Sequence, residues 1–553
     1  MIEWPVFDAE TRPLYRNHSG RRVKCRSPES QYLTIRRINH TAIDIKYLAN
    51  TQSLPQCFAT ELSRIKGLES RVMYGLKVGP IEGSVDLSKW DAVRVECYTI
   101  KNTTQKLESN NYIKNKYKVV DRIVPLIPAK RSDETMNYKT RTSGKQDGRP
   151  NVLMLGIDSI SWLSFKRHFS LTKTLAEKHD FYPIYGYNKI GDNTFPNLMA
   201  ILTGNFYHHF WNESMRTTKY FDDLPFVWKH FSRHDYMTAL IEDMPRYSLF
   251  NFNRKGFVDK PTDYYLRPVS VAIDRQLKRH CYKDGMEIEF YYNYTYDLVD
   301  AMRSRQQKYF AFVFMAHLTH NNANYAGYAD LPVYELLSKL FDNNLLNDTI
   351  VFLYSDHGIR FGKIRSTASG TVEERLPFVY IYLPKAYKTE SIDKNLRINA
   401  RRLTTPFDIY ATLRHIANGE AEPNLSHGMS LFNEIPANRS CDSEQISEHW
   451  CTCAQQQHQL KSYQNITFIA NFVVFEVNRL LKPVSNLCKK LLLNQIESAF
   501  ESRRTQTHYE KYYLIKLETW DGIELPTNRS SKWLPKGIKR QGMSDLSVMA
   551  TLV

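Results

Sequence analysis

Between residues 151 and 417 the sequence alternates short apolar runs, rich in β-branched and aromatic residues, with longer stretches of helical period. This alternation limits the chain more than any other feature, because short buried strands separated by amphipathic helices form a parallel or mixed sheet covered on both faces. The spacing predicts strands over 151–157, 237–241, 309–316, 349–354 and 378–383, and helices over 161–178, 196–202, 331–342 and 406–417. The expected fold class is therefore α/β, with a mixed, mostly parallel sheet in a three-layer core over 151–435. Residues 1–150 are polar and irregular, hold Cys25, Cys57 and Cys97, and end in a charged, Gly- and Pro-containing stretch at 130–150 that reads as a linker. Residues 436–553 form a Cys-containing C-terminal segment, with an apolar amphipathic stretch over 467–500 and a polar tail expected to fray.

Composition excludes several classes. With 42% hydrophobic and 24% charged residues in 553, the chain can bury a sizeable core and is not a disordered or stapled miniature protein. The formal charge of +17 would suit an anionic partner, but Lys and Arg are scattered and form no stripe, which argues against nucleic acid. No run approaches about 18 consecutive apolar residues, and the best candidate, 466–475, is interrupted by Asn471. Eight Cys and ten Asn-x-Ser/Thr sequons point instead to an oxidising compartment, the secretory lumen or the cell exterior. The N-terminal residues Met1-Ile2-Glu3-Trp4-Pro5 have no secretory signal, so an upstream signal or membrane anchor missing from this chain is expected. Three Cys in the N-terminal part require one partner elsewhere. Cys451 and Cys453, beside His449, resemble half a zinc site, but in a sequon-rich chain disulfides to Cys441 or Cys488 are the expected outcome.

In open α/β sheets, reactive groups gather at the carboxyl ends of strands. The first strand runs into Asp158, the third into His317-Leu318-Thr319-His320, and the fourth into Ser355-Asp356-His357-Gly358. Taken singly, an Asp after a strand is most often a helix cap, and Asp-His-Gly most often a turn. A fourth element, Gly191-Asp192-Asn193-Thr194-Phe195-Pro196-Asn197, changes the balance. Pro196 fits a first helical turn, which places Thr194 beside backbone N–H groups that favour an anion. A Thr hydroxyl needs a metal or a base to act as a nucleophile, and carboxylates with imidazoles suit a divalent metal such as zinc or manganese. Glu242 and Asp243, after the second strand, read as a solvated loop.

The order Asp158, Thr194-x-Pro196-Asn197, His317 and His320, Asp356-His357-Gly358 and His427-Gly428-Met429-Ser430-Leu431 resembles the alkaline phosphatase/sulfatase superfamily, and within it the DUF229 family. Trp4-Pro5-x-Phe7-Asp8, Leu318-Thr319-His320-Asn321, Cys441 and His449-Trp450-Cys451-x-Cys453 extend the resemblance over about residues 4 to 515. It implies an alkaline phosphatase-like core in which Asp158, Asp356 and His357 hold a metal together with the Thr194 oxygen, the nucleophile. His427 and His320 are implied either as further metal ligands or as groups that grip the substrate anion, and Asn197, His317 and Asn324 as substrate-binding groups. Phosphodiesterase relatives carry an Asp and a His where this chain has His320 and Asn324, so the resemblance allows one ion or two, zinc or manganese. Sulfatases of the superfamily use a Cys or Ser that is oxidised to an aldehyde, which Thr194 cannot supply. The resemblance therefore implies a metal-dependent phosphoesterase or phospho-group transferase acting on a phosphate ester. The alternatives are a catalytically inactive secreted binding protein of the same fold and a sulfatase-like hydrolase.

Overall fold

The computed structural model of the chain describes residues 5–48, 55–100, 116–130, 148–447, 449–452, 458–459, 462, 464–486, 490–503, 511–521 and 544–552. Most of the stretch 130–150 read as a linker, the sequon residues Asn102 and Asn528, and Cys453 and Cys488 lie outside them.

The N-terminal part, expected to be irregular, is built of strands: β1 (Leu33–Ile38), β2 (Ala42–Tyr47), β3 (Gln56–Ile65), β4 (Leu68–Val78), β5 (Ser84–Asp86), β6 (Ala92–Ile100) and β7 (Lys116–Pro125). They form one sheet ordered β1-β2-β5 and another ordered β4-β3-β6-β7. Period-two burial explains them. Ile43 and Ile45 in β2, and Val93, Val95 and Cys97 in β6, point inward while their neighbours carry polar groups outward. Those outward residues gave the segment its polar character. Cys57 and Cys97 sit directly opposite on β3 and β6 and are disulfide-bonded, while Cys25 finds its partner outside the region, in Cys281. Leu62, Ala92 and Ile123 join the apolar cluster beneath the central sheet. The described residues up to Cys451 pack as one compact unit and those from Thr452 onward as another.

The central sheet contains β8 (Asn151–Ile157), β9 (Tyr182–Pro183), β10 (Met237–Glu242) and β11 (Tyr264–Tyr265). After a small hairpin of β12 (Cys281–Tyr282) and β13 (Gly285–Met286), it continues with β14 (Tyr309–Met315), β15 (Thr349–Tyr354) and β16 (Val379–Tyr382). Its order is β11-β10-β14-β8-β15-β16-β9. Strands β11, β10, β14, β8 and β15 run parallel, and β16 is antiparallel to both of its neighbours. The expected mixed, mostly parallel sheet is present. Its three layers are visible in single strands: along β8, Leu153, Leu155 and Ile157 face one apolar cluster, and Val152 and Met154 the other.

The first face is covered by α1 (Trp162–His168) and α2 (Ser170–Lys178); the second receives α3 (Thr194–Thr203) and α4 (Val227–Arg233); α5 (Arg267–Asp274), α6 (Glu287–Ser304) and α7 (Ala326–Asp342) return to the first. Then follow α8 (Ala368–Glu373), α9 (Glu390–Asn399) and α10 (Pro406–Asn418), the last two on the second face. The helix expected over 161–178 breaks at Phe169, whose backbone (φ −112°, ψ 56°) leaves the helical region while its ring is buried. The longest helix, α6, escaped sequence reading, although Ile288, Tyr291, Thr295, Leu298 and Met302 recur at helical spacing and are all buried.

In the C-terminal unit, β17 (His458–Gln459), α11 (Thr467–Leu481), β18 (Leu491–Arg503), β19 (Lys511–Asp521) and β20 (Ser544–Leu552) form a sheet ordered β17-β18-β19-β20 with one helix. The amphipathic stretch over 467–500 thus divides into a helix and a strand, and residues 544–552 of the tail expected to fray are paired. Among the described residues no helix is long and apolar enough to cross a membrane.

Candidate active site at the carboxyl edge of the sheet

Strands β8 and β15 are parallel neighbours, with Leu155 opposite Leu353 and Gly156 opposite Tyr354. Asp158 follows the end of β8 and Asp356 the end of β15, so register alone brings them together. The Asp158 N–H donates to the Met315 carbonyl on β14 at 2.9 Å. Ser159 turns the chain with φ 60°, and its N–H donates to Asp356 Oδ1 at 3.2 Å. Gly358 then passes so close to the end of α8 that a Cβ would lie 2.2 Å from the Glu373 carbonyl oxygen; its N–H donates to the Glu374 carbonyl at 2.9 Å. This tight return fixes His357 above the two acids.

Asp158, Asp356 and His357 are almost wholly buried, at 1%, 0% and 1% exposure. His357 Nε2 lies 3.7 Å from Asp158 Oδ1 and 3.3 Å from Asp356 Oδ2. Neither oxygen has a hydrogen-bond partner among the described residues. His357 Nδ1 lies 2.8 Å from the Gly358 carbonyl, which can only accept, so Nδ1 carries the proton and Nε2 presents its lone pair. Burial, followed by the charge of Asp356, pushes the Asp158 carboxyl well above the ordinary carboxylate range, with Arg360 opposing. Burial also lowers His357 against the pull of Asp356. Two carboxylate oxygens unpartnered among the described residues and an imidazole lone pair, with ligand atoms within 4.8 Å of one another, fit a shared divalent cation.

Thr194 is the first residue of α3, and Asn193, not Thr194, caps the helix, accepting from the Phe195 N–H at 3.2 Å. Thr194 Oγ1 is half-buried and 3.5 Å from His357 Nε2, so the hydroxyl stands at the edge of the trio. The backbone cradle expected for an anion is reduced. Pro196 has no N–H and Asn193 takes that of Phe195, which leaves the Thr194 N–H among the first three helical residues.

Asn197, implied as a substrate-binding group, anchors the loop before α3. It is fully buried, its Oδ1 accepts from the Ile190 and Gly191 N–H groups, and its Nδ2 donates to the Gly191 and Asn193 carbonyls. Asn324 is likewise taken up elsewhere: Oδ1 accepts from the Arg16 N–H at 2.7 Å and Nδ2 donates to the Leu14 carbonyl, fastening the N-terminal segment. His317 is bonded through Nδ1 to Glu287. Burial opposes its protonation but Glu287 outweighs it, so its pKa is raised. His320 bonds Asn321 at 2.7 Å with its ring 5.7 Å from Phe361, and His427 stacks on Phe407 at 4.8 Å. Neither belongs to the group of mutually close ligand atoms formed by Asp158, Asp356 and His357. Asp243 is not solvated, and Glu242 is half-buried, its Oε1 accepting from the Leu249 N–H at 2.9 Å. Asp243 is 3% exposed and accepts from Ala316 and His317 N–H groups, and burial pushes Glu242 up to about 7.

Two cations beside the site escaped sequence reading. Arg360 pairs with Asp192 at 2.8 Å, and its place three residues after His357 was a usable signal. Lys189 is buried with Nζ 2.7 Å from Glu374 Oε1, 3.0 Å from the Asp192 carbonyl and 4.1 Å from the Trp450 ring centroid. No local pattern announces a buried lysine. Burial brings its pKa down to about 8. The nearby Cys441–Cys451 disulfide realises one of the pairings expected for Cys451.

Residues 20–497 match the family described as "Protein of unknown function (DUF229)". No curated protein matches the chain. Three solved structures similar to it are the lipoteichoic acid synthase LtaP from Listeria monocytogenes, a protein in the alkaline phosphatase superfamily from Vibrio parahaemolyticus, and the phosphonate monoester hydrolase SpPMH from Silicibacter pomeroyi. The first is 14% identical, with 52% of this chain and 76% of that chain covered and a TM-score of 0.38. The second is 12% identical over 68% and 79%, with a TM-score of 0.38, and the third 12% identical over 68% and 89%, with a TM-score of 0.36. Likeness at these scores carries no chemistry to this chain.

Proposed function

The chain belongs to the DUF229 family, and from that premise and the site geometry we propose that it is a metal-dependent phosphoesterase or phospho-group transferase with Thr194 as nucleophile. One observation carries the reading: Asp158 Oδ1 and Asp356 Oδ2, buried and unpartnered, face the His357 lone pair, and Thr194 Oγ1 is 3.5 Å from that nitrogen. A divalent ion held by Asp158, Asp356 and His357, zinc or manganese by the donor set, would supply Lewis-acid stabilisation of negative charge during ester cleavage. A single ion is favoured, because Asn324 is tied to the N-terminal segment and His320 and His427 stand outside the ligand group.

In this scheme Thr194 Oγ1 forms a bond to phosphorus as the bond to the leaving alkoxide breaks, and the hydroxyl proton passes to solvent at the half-exposed face of Thr194. Water, or an acceptor alcohol in a transferase, then displaces Thr194 and restores its hydroxyl. Asn197 and Asn193 hold the nucleophile's turn, and the Thr194 N–H is available to a phosphoryl oxygen. A threonine, being a secondary alcohol, cannot be oxidised to an aldehyde, which favours phosphate over sulfate esters. Placement outside the cell or in the secretory lumen is supported by three disulfides and by the exposure of all seven described sequon asparagines between 17 and 438.

The test is metal content by mass spectrometry on protein purified from a secretory host, paired with hydrolysis of an aryl phosphate monoester and diester. About one equivalent of zinc or manganese with metal-dependent turnover is expected. No bound metal and no turnover after both metals are added back would overturn the reading and leave a binding protein of the same fold.

A further inference from the structure

Arg360 and Asp192 join the two loops that build the site. Arg360 lies three residues beyond His357, Asp192 two residues before Thr194, and Arg360 Nη1 meets Asp192 Oδ2 at 2.8 Å. Asp192 is 54% exposed and the Arg360 side chain 20%. The guanidinium carbon lies 5.0 Å from the Phe361 ring centroid, and Nε is buried with no hydrogen-bond partner among the described residues. A guanidinium offers five donors in a planar fork that matches a tetrahedral oxyanion, and here Asp192 engages Nη1 alone.

Other cations nearby are committed. Lys189 and Arg365 both pair with the buried Glu374, at 2.7 and 2.5 Å, and Lys189 also donates to the Asp192 carbonyl. The start of α3 offers little more, because Pro196 lacks an N–H and Asn193 caps Phe195. An anionic ester presented to Thr194 therefore needs a side-chain cation that can turn to it. Arg360 meets that need, since its one ion-pair partner among the described residues is an exposed carboxylate that water can solvate once released.

We infer that Arg360 grips the oxygens of the substrate's phosphoryl group, and that Asp192 is the internal carboxylate it releases when a tetrahedral oxyanion arrives. The inference rests on the phosphoesterase reading and adds an anion-binding residue and its competitor to it. An arginine held by a competing carboxylate makes a definite prediction of sign. Removing the arginine weakens anion binding, and removing the carboxylate strengthens it.

The experiment is titration calorimetry of inorganic phosphate into the metal-loaded full chain, for the wild type, Arg360→Gln, Asp192→Asn and the double variant, with metal content and thermal midpoint measured on each. Arg360→Gln is expected to weaken phosphate by about tenfold or more, Asp192→Asn to tighten it by about two- to fivefold, and the double variant to behave as Arg360→Gln, all with unchanged metal content. Unchanged affinity in Arg360→Gln overturns the inference. So does an Asp192→Asn protein that loses phosphate as Arg360→Gln does, because the pair would then only brace two loops. Should Arg360→Gln fail to fold, Arg360→Lys is read in its place, with a loss of about threefold or more expected from the missing fork and an unchanged affinity overturning the inference. Wild-type protein that holds no metal sinks the phosphoesterase reading itself; wild-type protein that holds metal but binds no phosphate sinks the role of Arg360 alone.

Discussion

Along one edge of the central sheet, two neighbouring strand pairs end in the same residue types and leave them in different states. At β8 and β15, Asp158 and Asp356 each keep a buried oxygen without a partner, and His357 turns its free nitrogen toward both. At β10 and β14, Asp243 is also buried, yet its two oxygens accept from the Ala316 and His317 N–H groups, while His317 is bonded to Glu287. The second carboxylate is a brace between strand ends. The first two fit a cation site, because a buried carboxylate oxygen without a donor carries charge only at a cost that a cation offsets. What separates the candidate ligands from the brace is therefore the saturation of their oxygens, not residue type, burial or place on the sheet.

The comparison can be broken at several depths. Thr194→Ala should reduce turnover of an aryl phosphate ester by at least about a thousandfold, roughly 4 kcal/mol of transition-state stabilisation, at unchanged metal content. Retained activity in the purified variant would remove the mechanism. Asp356→Asn should weaken metal binding by about a hundredfold or more, whereas Asp243→Asn should keep its metal, read by elemental analysis after dialysis. Equal loss from both would mean that saturation does not distinguish the two ends. Asn197→Ala leaves the buried Ile190 and Gly191 N–H groups without their acceptor, and should cost about 2–4 kcal/mol in denaturant unfolding while lowering turnover. Wild-type stability in that variant would show that the Thr194 turn holds without its anchor.

The smallest effect concerns Glu242, at the end of β10. Its carboxyl is moved from an ordinary 4.5 to about 7 by burial, so between these values the folded chain binds more protons than the unfolded one. Stability supplied by this group is present at pH 4.5, falls as pH rises to about 7, and is level above that. Glu242→Gln should therefore gain on the order of 1–3 kcal/mol over the wild type at pH 8 and little at pH 4.5. A difference that does not vary with pH in thermal unfolding would show that Glu242 is not held protonated.

Much of this was legible before folding. Strands β8, β10, β14 and β15 appear as apolar β-branched and aromatic runs because both faces of each are buried, and a run of that kind needs no context to be recognised. The N-terminal sheets were not legible, since their strands are half solvated and every second side chain is polar. Helix α6 was obscured by its many tyrosines and charges, although its buried positions keep helical spacing. Asp158, Asp356, His357 and Thr194, which the fold brings together, were singled out by their positions at strand ends and at a helix start together with the family resemblance. Asn197, Asn324 and Glu242 could not be judged, because a polar side chain discloses its role only when its partners are known. Asn197 spends its whole hydrogen-bonding capacity on one turn, and Asn324 spends one acceptor and one donor position on a segment more than 300 residues away in sequence.

By itself, then, the sequence determined the layer architecture and the kinds of group gathered at the sheet's carboxyl edge, because burial periodicity and strand-end chemistry are local properties of the chain. Only the tertiary structure decided which of those groups meet. The order β10-β14-β8-β15 makes Asp158 and Asp356 neighbours with oxygens to spare and gives Asp243 to the backbone of β14, and strand order is set by long-range pairing that no local stretch of residues encodes.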